Sequence, residues 1–167
     1  QNINTIFQHL GGAKCFSTFD LASGYYQFKM RECDIEKTAF ATPEGLYEFV
    51  RMPMGLSNAP ATFQRAMTNI FANMVYHGVM VFIDDILVYS KTWKEHMEKL
   101  EEVLRRMKEN NLQAKVAKCH FAQPQTQYLG YVITANAKRP DPAKVKAIQP
   151  MRAPKDKAEV RSVLGLA

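Results

Sequence analysis

The sequence predicts an α+β fold, an antiparallel sheet covered on one face by helices. Three observations lead there. Short runs rich in Val, Ile, Phe, Tyr and Thr recur between turn-prone residues, as strands do. Two longer segments repeat apolar residues at steps of three and four, the helical period. The elements follow one another as strands, helix, hairpin, helix, strands and helices. A length of 167 residues, 47% hydrophobic and 23% charged, suits one well-cored domain or a large piece of a bigger one.

Along the chain, the first strand is Cys15–Asp20, after the Gly11-Gly12 breaker. Ser23-Gly24 marks a turn, and residues 25–30 alternate as a second strand does. Shorter extended pieces are expected at 38–42 and 46–51, around Pro43-Glu44-Gly45. Residues 58–76 read as a helix with Phe63, Ala66, Met67, Ile70, Phe71 and Met74 on one face. Ser57 or Asn58 caps it, and Pro60 fits its first turn. Residues 79–89 form strand, tight turn, strand. A second helix starts at Thr92, which makes a capping box with Glu95. Its expected buried stripe is Trp93, Met97, Leu100, Val103 or Leu104, and Met107. The pairs Lys94/Glu98, Glu101/Arg105 and Glu102/Arg106 lie outside. Strands near 118–121, 127–129 and 131–134 and helices near 142–149 and 157–166 complete the order. Both ends are expected to be cut from something longer.

The net charge of +6 is unevenly spread. Residues 1–90 hold six basic against eight acidic residues, and residues 91–167 hold sixteen against eight. A carboxylate-bearing half followed by a basic half suits a metal site in one place and a polyanion in another, although solvated helix faces explain part of it. Cys15, Cys33 and Cys119 are scattered and never form Cys-x-x-Cys, which argues against a disulfide framework or zinc site and fits a reducing compartment. No apolar run approaches a membrane span and no signal peptide is visible, so a cytoplasmic protein, not secreted and not in a membrane, is expected.

Chemistry concentrates at Asp84 and Asp85, which interrupt the apolar stretch Val79-Met80-Val81-Phe82-Ile83-Asp84-Asp85-Ile86-Leu87-Val88-Tyr89. Charge there is costly unless compensated. Two-residue hairpin turns favour Asn-Gly or Asp-Gly, because positive φ is needed. An Asp-Asp tip is therefore either a solvated turn or a site, and the pair alone leaves both open. If Asp20 ends its strand at the same sheet edge, three carboxylates converge. Like charges that close need a cation or a shared proton, and hard oxygen ligands suit magnesium.

Around these residues the sequence resembles a known family. Phe82-Ile83-Asp84-Asp85 is similar to the aromatic-x-Asp-Asp box of reverse transcriptases, and Phe19-Asp20-Leu21-Ala22-Ser23-Gly24-Tyr25-Tyr26-Gln27 to their first catalytic-aspartate motif. Arg51-Met52-Pro53-Met54-Gly55-Leu56-Ser57-Asn58-Ala59-Pro60-Ala61-Thr62-Phe63-Gln64 resembles the nucleotide-pocket segment, and Tyr128-Leu129-Gly130-Tyr131-Val132 the primer-grip hairpin. Leu-Ser-Asn-Ala-Pro and the closing Leu164-Gly165-Leu166-Ala167 are similar to the gypsy-type LTR retrotransposon branch, related to retroviral enzymes.

The resemblance implies a polymerase palm-type sheet with partial fingers and the primer-grip hairpin over residues 1–134, and a truncated thumb or connection start over 135–167. It implies RNA-directed DNA polymerase activity, with two magnesium ions (manganese as a substitute) on Asp20, Asp84, Asp85 and the Leu21 backbone. It places Leu21, Ala22, Ser23, Gly24, Tyr25, Met54 and Gly55 at the nucleotide, Tyr25 as the steric gate against ribose. Phe82, Ile83, Leu129, Gly130 and Tyr131 fall to the primer. The implied partners are RNA or DNA template-primer, deoxynucleoside triphosphates, and the ribonuclease H and integrase regions of a parent polyprotein in a virus-like particle. The alternative is a non-catalytic nucleic-acid-binding relic or domesticated module that keeps the palm fold.

Overall fold

The computed structural model describes residues 8–148 and 156–166. Gln149, at the expected end of one helix, and Ala167, in the closing motif, lie outside them. Strand β1 (Cys15–Asp20) is the axis of the fold. It pairs antiparallel with β5 (Asp85–Ser90) on one side and with β6 (His120–Gln123) on the other, while β4 (Val79–Phe82) pairs with β5. The sheet order is thus β4-β5-β1-β6.

Side chains alternate across a strand, so each strand feeds two faces. Phe19, Val79, Val81, Ile86 and Val88 pack with helices α1 (Ala59–Ile70) and α2 (Trp93–Glu109). Phe16, Met80, Leu87 and Tyr89 pack on the opposite face with Leu10, Ala13, Tyr128 and Ile133. Helices therefore cover one face, as the sequence predicts. The other is partly closed by a small sheet of β7 (Gln125–Tyr128), β8 (Tyr131–Thr134) and β9 (Lys138–Pro140). The β7–β8 turn places Leu129 at φ 50° and Gly130 at φ 78°, the two positive values a tight hairpin requires. An exposed hairpin, β2 (Phe40–Thr42) and β3 (Gly45–Tyr47), lies apart, and helices α3 (Pro142–Ile148) and α4 (Lys157–Leu166) follow β9.

Several elements differ from expectation. Residues 25–30 are not a strand: Gly24–Gln27 is a 3-10 turn, entered through Ser23 at φ 51°. Only a bridge between Lys29 and Arg51 remains extended. Helix α1 ends at Ile70 rather than near 76, and Phe71 and Met74 stay buried within the turns that lead to β4. The capping box of α2 closes one residue early. Thr92 Oγ1 accepts from Glu95 N–H, but the Glu95 carboxylate accepts from Lys91 N–H. Arg105 pairs with Glu102 and Glu109 rather than Glu101, while Arg106 does meet Glu102.

The stripe of α2 is also rotated. Its buried residues are His96, Leu100, Val103 and Met107, whereas Trp93 is 59% exposed and Met97 and Leu104 also face solvent. A histidine replaces apolar residues there because its ring is fully hydrogen-bonded. Ser17 Oγ on β1 lies 2.7 Å from His96 Nε2, and Ser90 Oγ on β5 lies 3.0 Å from Nδ1. Ser90 Oγ donates to Thr92 O, so the proton of its bond to Nδ1 comes from the ring, and Ser17 Oγ, which accepts from Ala122 N–H, turns its hydroxyl proton to Nε2. The ring is thereby assigned as neutral, with Nδ1–H donating to Ser90. Burial, then Lys99, holds this imidazole below its ordinary 6.5, and Glu95 opposes. Below about 6.5 the unfolded chain takes up a proton that the folded ring refuses, so stability is lost as pH falls through that window. Urea midpoints should therefore drop between pH 8 and pH 5. His96→Gln should flatten that part of the profile, and an unchanged slope would contradict the assignment.

Candidate active site

The β1–β5 register places Asp20 directly opposite Asp85, each at the end of its strand. By alternation both lie on the face away from the helices, the same side as Leu87. The hairpin turn is Ile83-Asp84 rather than Asp84-Asp85, because Asp85 already pairs with Phe82 as the first residue of β5. Ile83 takes φ 51°, an outlier for a β-branched residue. It is held there by Gln64 on α1, whose Oε1 accepts from Ile83 N–H (2.8 Å) while its Nε2 donates to Val81 O (3.0 Å). Strain held by such a clamp is common at functional sites.

Asp84 turns inward. Its Oδ1 is buried without a hydrogen-bond partner among the described residues, and Gly24 packs directly against it. Burial, then Asp85 and Asp20, push its carboxyl above the ordinary carboxylate range, with Lys118 opposing. Asp85 remains open to solvent, yet the protein around it and the charge of Asp20 raise its carboxyl as well, again against Lys118. Lys118 Nζ lies 3.0 Å from Asp20 Oδ2. Among the described residues no three acidic, His or Cys side chains converge closely enough to cage an ion as they stand. The donor set nevertheless fits a hard divalent cation: three carboxylates short of positive charge, one with a free buried oxygen.

A cleft of about 740 Å³ opens beside this edge, lined by Asp20, Asp85, Lys118, His120, Leu129 and Gly130 among others. It joins the carboxylates to the β7–β8 hairpin. Tyr131 is half-buried next to that turn. Phe82 is half-buried against the second core. Tyr25 packs against Phe63 with ring centroids 5.1 Å apart and the ring planes tilted by 55°, and burial followed by Asp84 raises its hydroxyl. The backbone of Leu21, Ala22, Ser23 and Gly24 forms the turn between Asp20 and Tyr25, with Leu21 N–H donating to Asp84 O at 3.3 Å. Met54 and Gly55 do not join this group. Met54 is 62% exposed, Gly55 has open space around it, and neither lines the cleft.

Three contributors escape sequence reasoning. Lys118 lies 98 positions from Asp20, and its only signal is the basic second half of the chain. Gln64 falls within a motif but carries no charge. Tyr128 is buried with its hydroxyl unpartnered among the described residues, and burial and then Asp85 raise it strongly.

The model of the family described as "Reverse transcriptase (RNA-dependent DNA polymerase)" matches residues 2–133. The chain belongs to the reverse transcriptase family. Among its relatives, the retrovirus-related Pol polyprotein from transposon opus of Drosophila melanogaster is 44% identical over 99% of this chain. That of transposon gypsy, from the same organism, is 38% identical over 99%. This reverse transcriptase chain spans 16% of the length of either relative. Among solved structures it is similar to the foamy viral protease-reverse transcriptase in complex with RNA/DNA hybrid. That match has a TM-score of 0.87 at 27% identity and covers 99% of this chain and 22% of that one. The same viral enzyme with double-stranded DNA gives a TM-score of 0.83 at 26% identity, over 99% and 35%. The palm-type α+β fold and the retrotransposon branch expected from the motifs are therefore those of the molecule.

Proposed function

We propose that this chain is the polymerising core of an RNA-directed DNA polymerase from a retrotransposon polyprotein. The primer 3′-hydroxyl attacks the α-phosphorus of a deoxynucleoside triphosphate, a new P–O bond forms, the α–β bridge breaks, and pyrophosphate leaves. The observation that carries this reading is the register of Asp20 against Asp85, with Asp84 next to them in the hairpin turn. Asp20, Asp84, Asp85 and the Leu21 carbonyl would hold two magnesium ions, or manganese, which neutralise charge at the reacting phosphate and activate the attacking hydroxyl. Positioning and charge stabilisation supply most of the acceleration in such transfers.

The same reading assigns the remaining roles. Backbone amides at 23 and 24 would face the triphosphate, in a turn that small residues keep accessible, whereas Ala22 N–H is already committed to Gln113 O. The cleft beside Leu129, Gly130 and Tyr131 receives the primer end, with Phe82 and Ile83 beneath it. Basic residues of the second half follow the template-primer backbone with salt-dependent, sequence-independent affinity. Met54 and Gly55 serve the nucleotide only when further parts of the polyprotein close over them.

Tyr25 is the sugar gate, its ring fixed against Phe63 where a 2′-hydroxyl would enter. Tyr25→Ala should raise ribonucleotide incorporation by at least about tenfold relative to deoxynucleotide. Unchanged sugar discrimination removes the gate role. The function itself is tested by template-directed primer extension with magnesium, in a polymerase that carries this chain with its upstream and downstream regions. Nucleic-acid binding without extension would instead favour a non-catalytic module.

A further inference from the structure

The side chain of Gln27 makes three hydrogen bonds that none of the roles above requires. Its Nε2 donates to Ala22 O (2.6 Å) and to Gln113 O (2.9 Å), and its Oε1 accepts from Gln113 N–H (2.8 Å). Reversing the amide would set its oxygen against two carbonyl oxygens, so the partners fix its orientation.

The surrounding backbone shows what this carboxamide replaces. Strand β1 continues past Asp20 by pairing with the segment after α2. Lys115 N–H donates to Asp20 O (2.8 Å), Leu21 bridges Ala114, and Ala22 N–H donates to Gln113 O (2.9 Å). The carboxamide of Gln27 occupies the rung where Gln113 N–H and Ala22 C=O would otherwise meet. It acts as a spacer that turns the chain at Ala22 away from the ladder and into the 24–27 turn. The backbone of Gln27 is held from the other side, where Arg51 Nη1 donates to Gln27 O (2.9 Å) and Tyr26 O (3.2 Å).

Two parts of the site hang from this clamp. One is the turn that presses Gly24 against Asp84 and sets the Tyr25 ring on Phe63. The other is the loop from Gln113 that carries Lys118 to Asp20. We propose that Gln27 is a positioning residue for nucleotide selection, its carboxamide rung between Ala22 and Gln113 fixing Tyr25 and Lys118 on either side of the carboxylates. The role rests on the polymerase reading above. The Gln27 carboxamide is taken up by backbone groups of Ala22 and Gln113, so its effect appears in how well a nucleotide is held and discriminated, not in whether template-primer binds.

The test compares Gln27→Ala, Gln27→Glu and Gln27→Met in the polymerase that carries this chain, with Asp85→Asn as a reference. Glutamate keeps the acceptor for Gln113 N–H but places a carboxylate against two carbonyl oxygens. Methionine keeps the volume without any hydrogen bond, and serves if alanine does not fold. The expected result is a parental Kd for template-primer, a KM for deoxynucleotide raised about tenfold, and a deoxy-to-ribo preference lowered at least about threefold. Parental KM and sugar preference in the folded variants overturn the proposal. So does a uniform loss of active protein that leaves both ratios unchanged. If the parent shows no Asp85-dependent extension, the polymerase reading falls and takes this proposal with it. A parent that extends normally while the Gln27 variants match it defeats the clamp alone.

Discussion

Replacing Gly24 by alanine should stop nucleotide addition. A Cβ at this position overlaps Asp84 Oδ1 and lies 3.0 Å from both Asp84 Cγ and Phe63 Cζ. The φ of Gly24 is ordinary, so space rather than backbone freedom demands glycine. Phe63 is fully buried between α1 and the sheet and cannot retreat. The Asp84 side chain must then swing away from Asp20 and Asp85, and misplacement of that size costs about a hundredfold in rate or more. Overpacking should also lower stability by about 1–3 kcal/mol. Single-nucleotide addition rates and urea melts of Gly24→Ala measure the two effects. Addition at the parental rate would mean that the close packing of Gly24 on Asp84 has no part in the chemistry.

Asp84→Asn should have opposite effects on stability and activity. Burial first, then Asp85 and Asp20, raise the Asp84 carboxyl above its ordinary 3.8, so the folded state keeps this proton to higher pH than the unfolded chain does. The stability contributed by the group is present below about 3.8 and lost as pH rises through the raised value. At neutral pH without metal, the charge therefore opposes folding, and asparagine removes it. The melting temperature in metal-free buffer at pH 7 should rise in the variant, which should also lose the Asp84 share of the pH dependence in that window. Magnesium should stabilise the parent by binding the folded state and stabilise the variant far less. Nucleotide addition should fall at least roughly a thousandfold, about 4 kcal/mol of transition-state stabilisation. A variant destabilised at neutral pH, or equally stabilised by magnesium, would contradict the account of the carboxylates.

Much of this architecture is legible in local sequence. β1 and the β4–β5 hairpin are dense in strand formers, which makes the strands legible, but that Asp20 and Asp85 share one edge is decided by the long-range pairing of β1 with β5. What fails is local rules applied where distant residues decide. The break in the apolar run puts the hairpin tip at the two aspartates, but Ile83 takes the positive φ because Gln64, nineteen positions away, clamps it. Periodicity puts Trp93 and Met97 inside α2, but Ser17 and Ser90 satisfy His96 from two strands and win the buried position. Alternation at 25–30 reads as a strand, yet the close packing of Gly24 on Asp84 and the Gln27 rung bend it into a turn. Lys118 reaches Asp20 only through the pairing of 113–115 with the end of β1, a contact no local window contains.

The central claim is that Asp20, Asp84 and Asp85 form one metal-dependent site for nucleotidyl transfer. Its most direct measurement is extension of a DNA primer on an RNA template with magnesium, by the polymerase that carries this chain and by its Asp85→Asn variant. The prediction is processive, magnesium-dependent extension by the parent and none by the variant, with equal binding of template-primer by both. Extension by Asp85→Asn at the parental rate would contradict it.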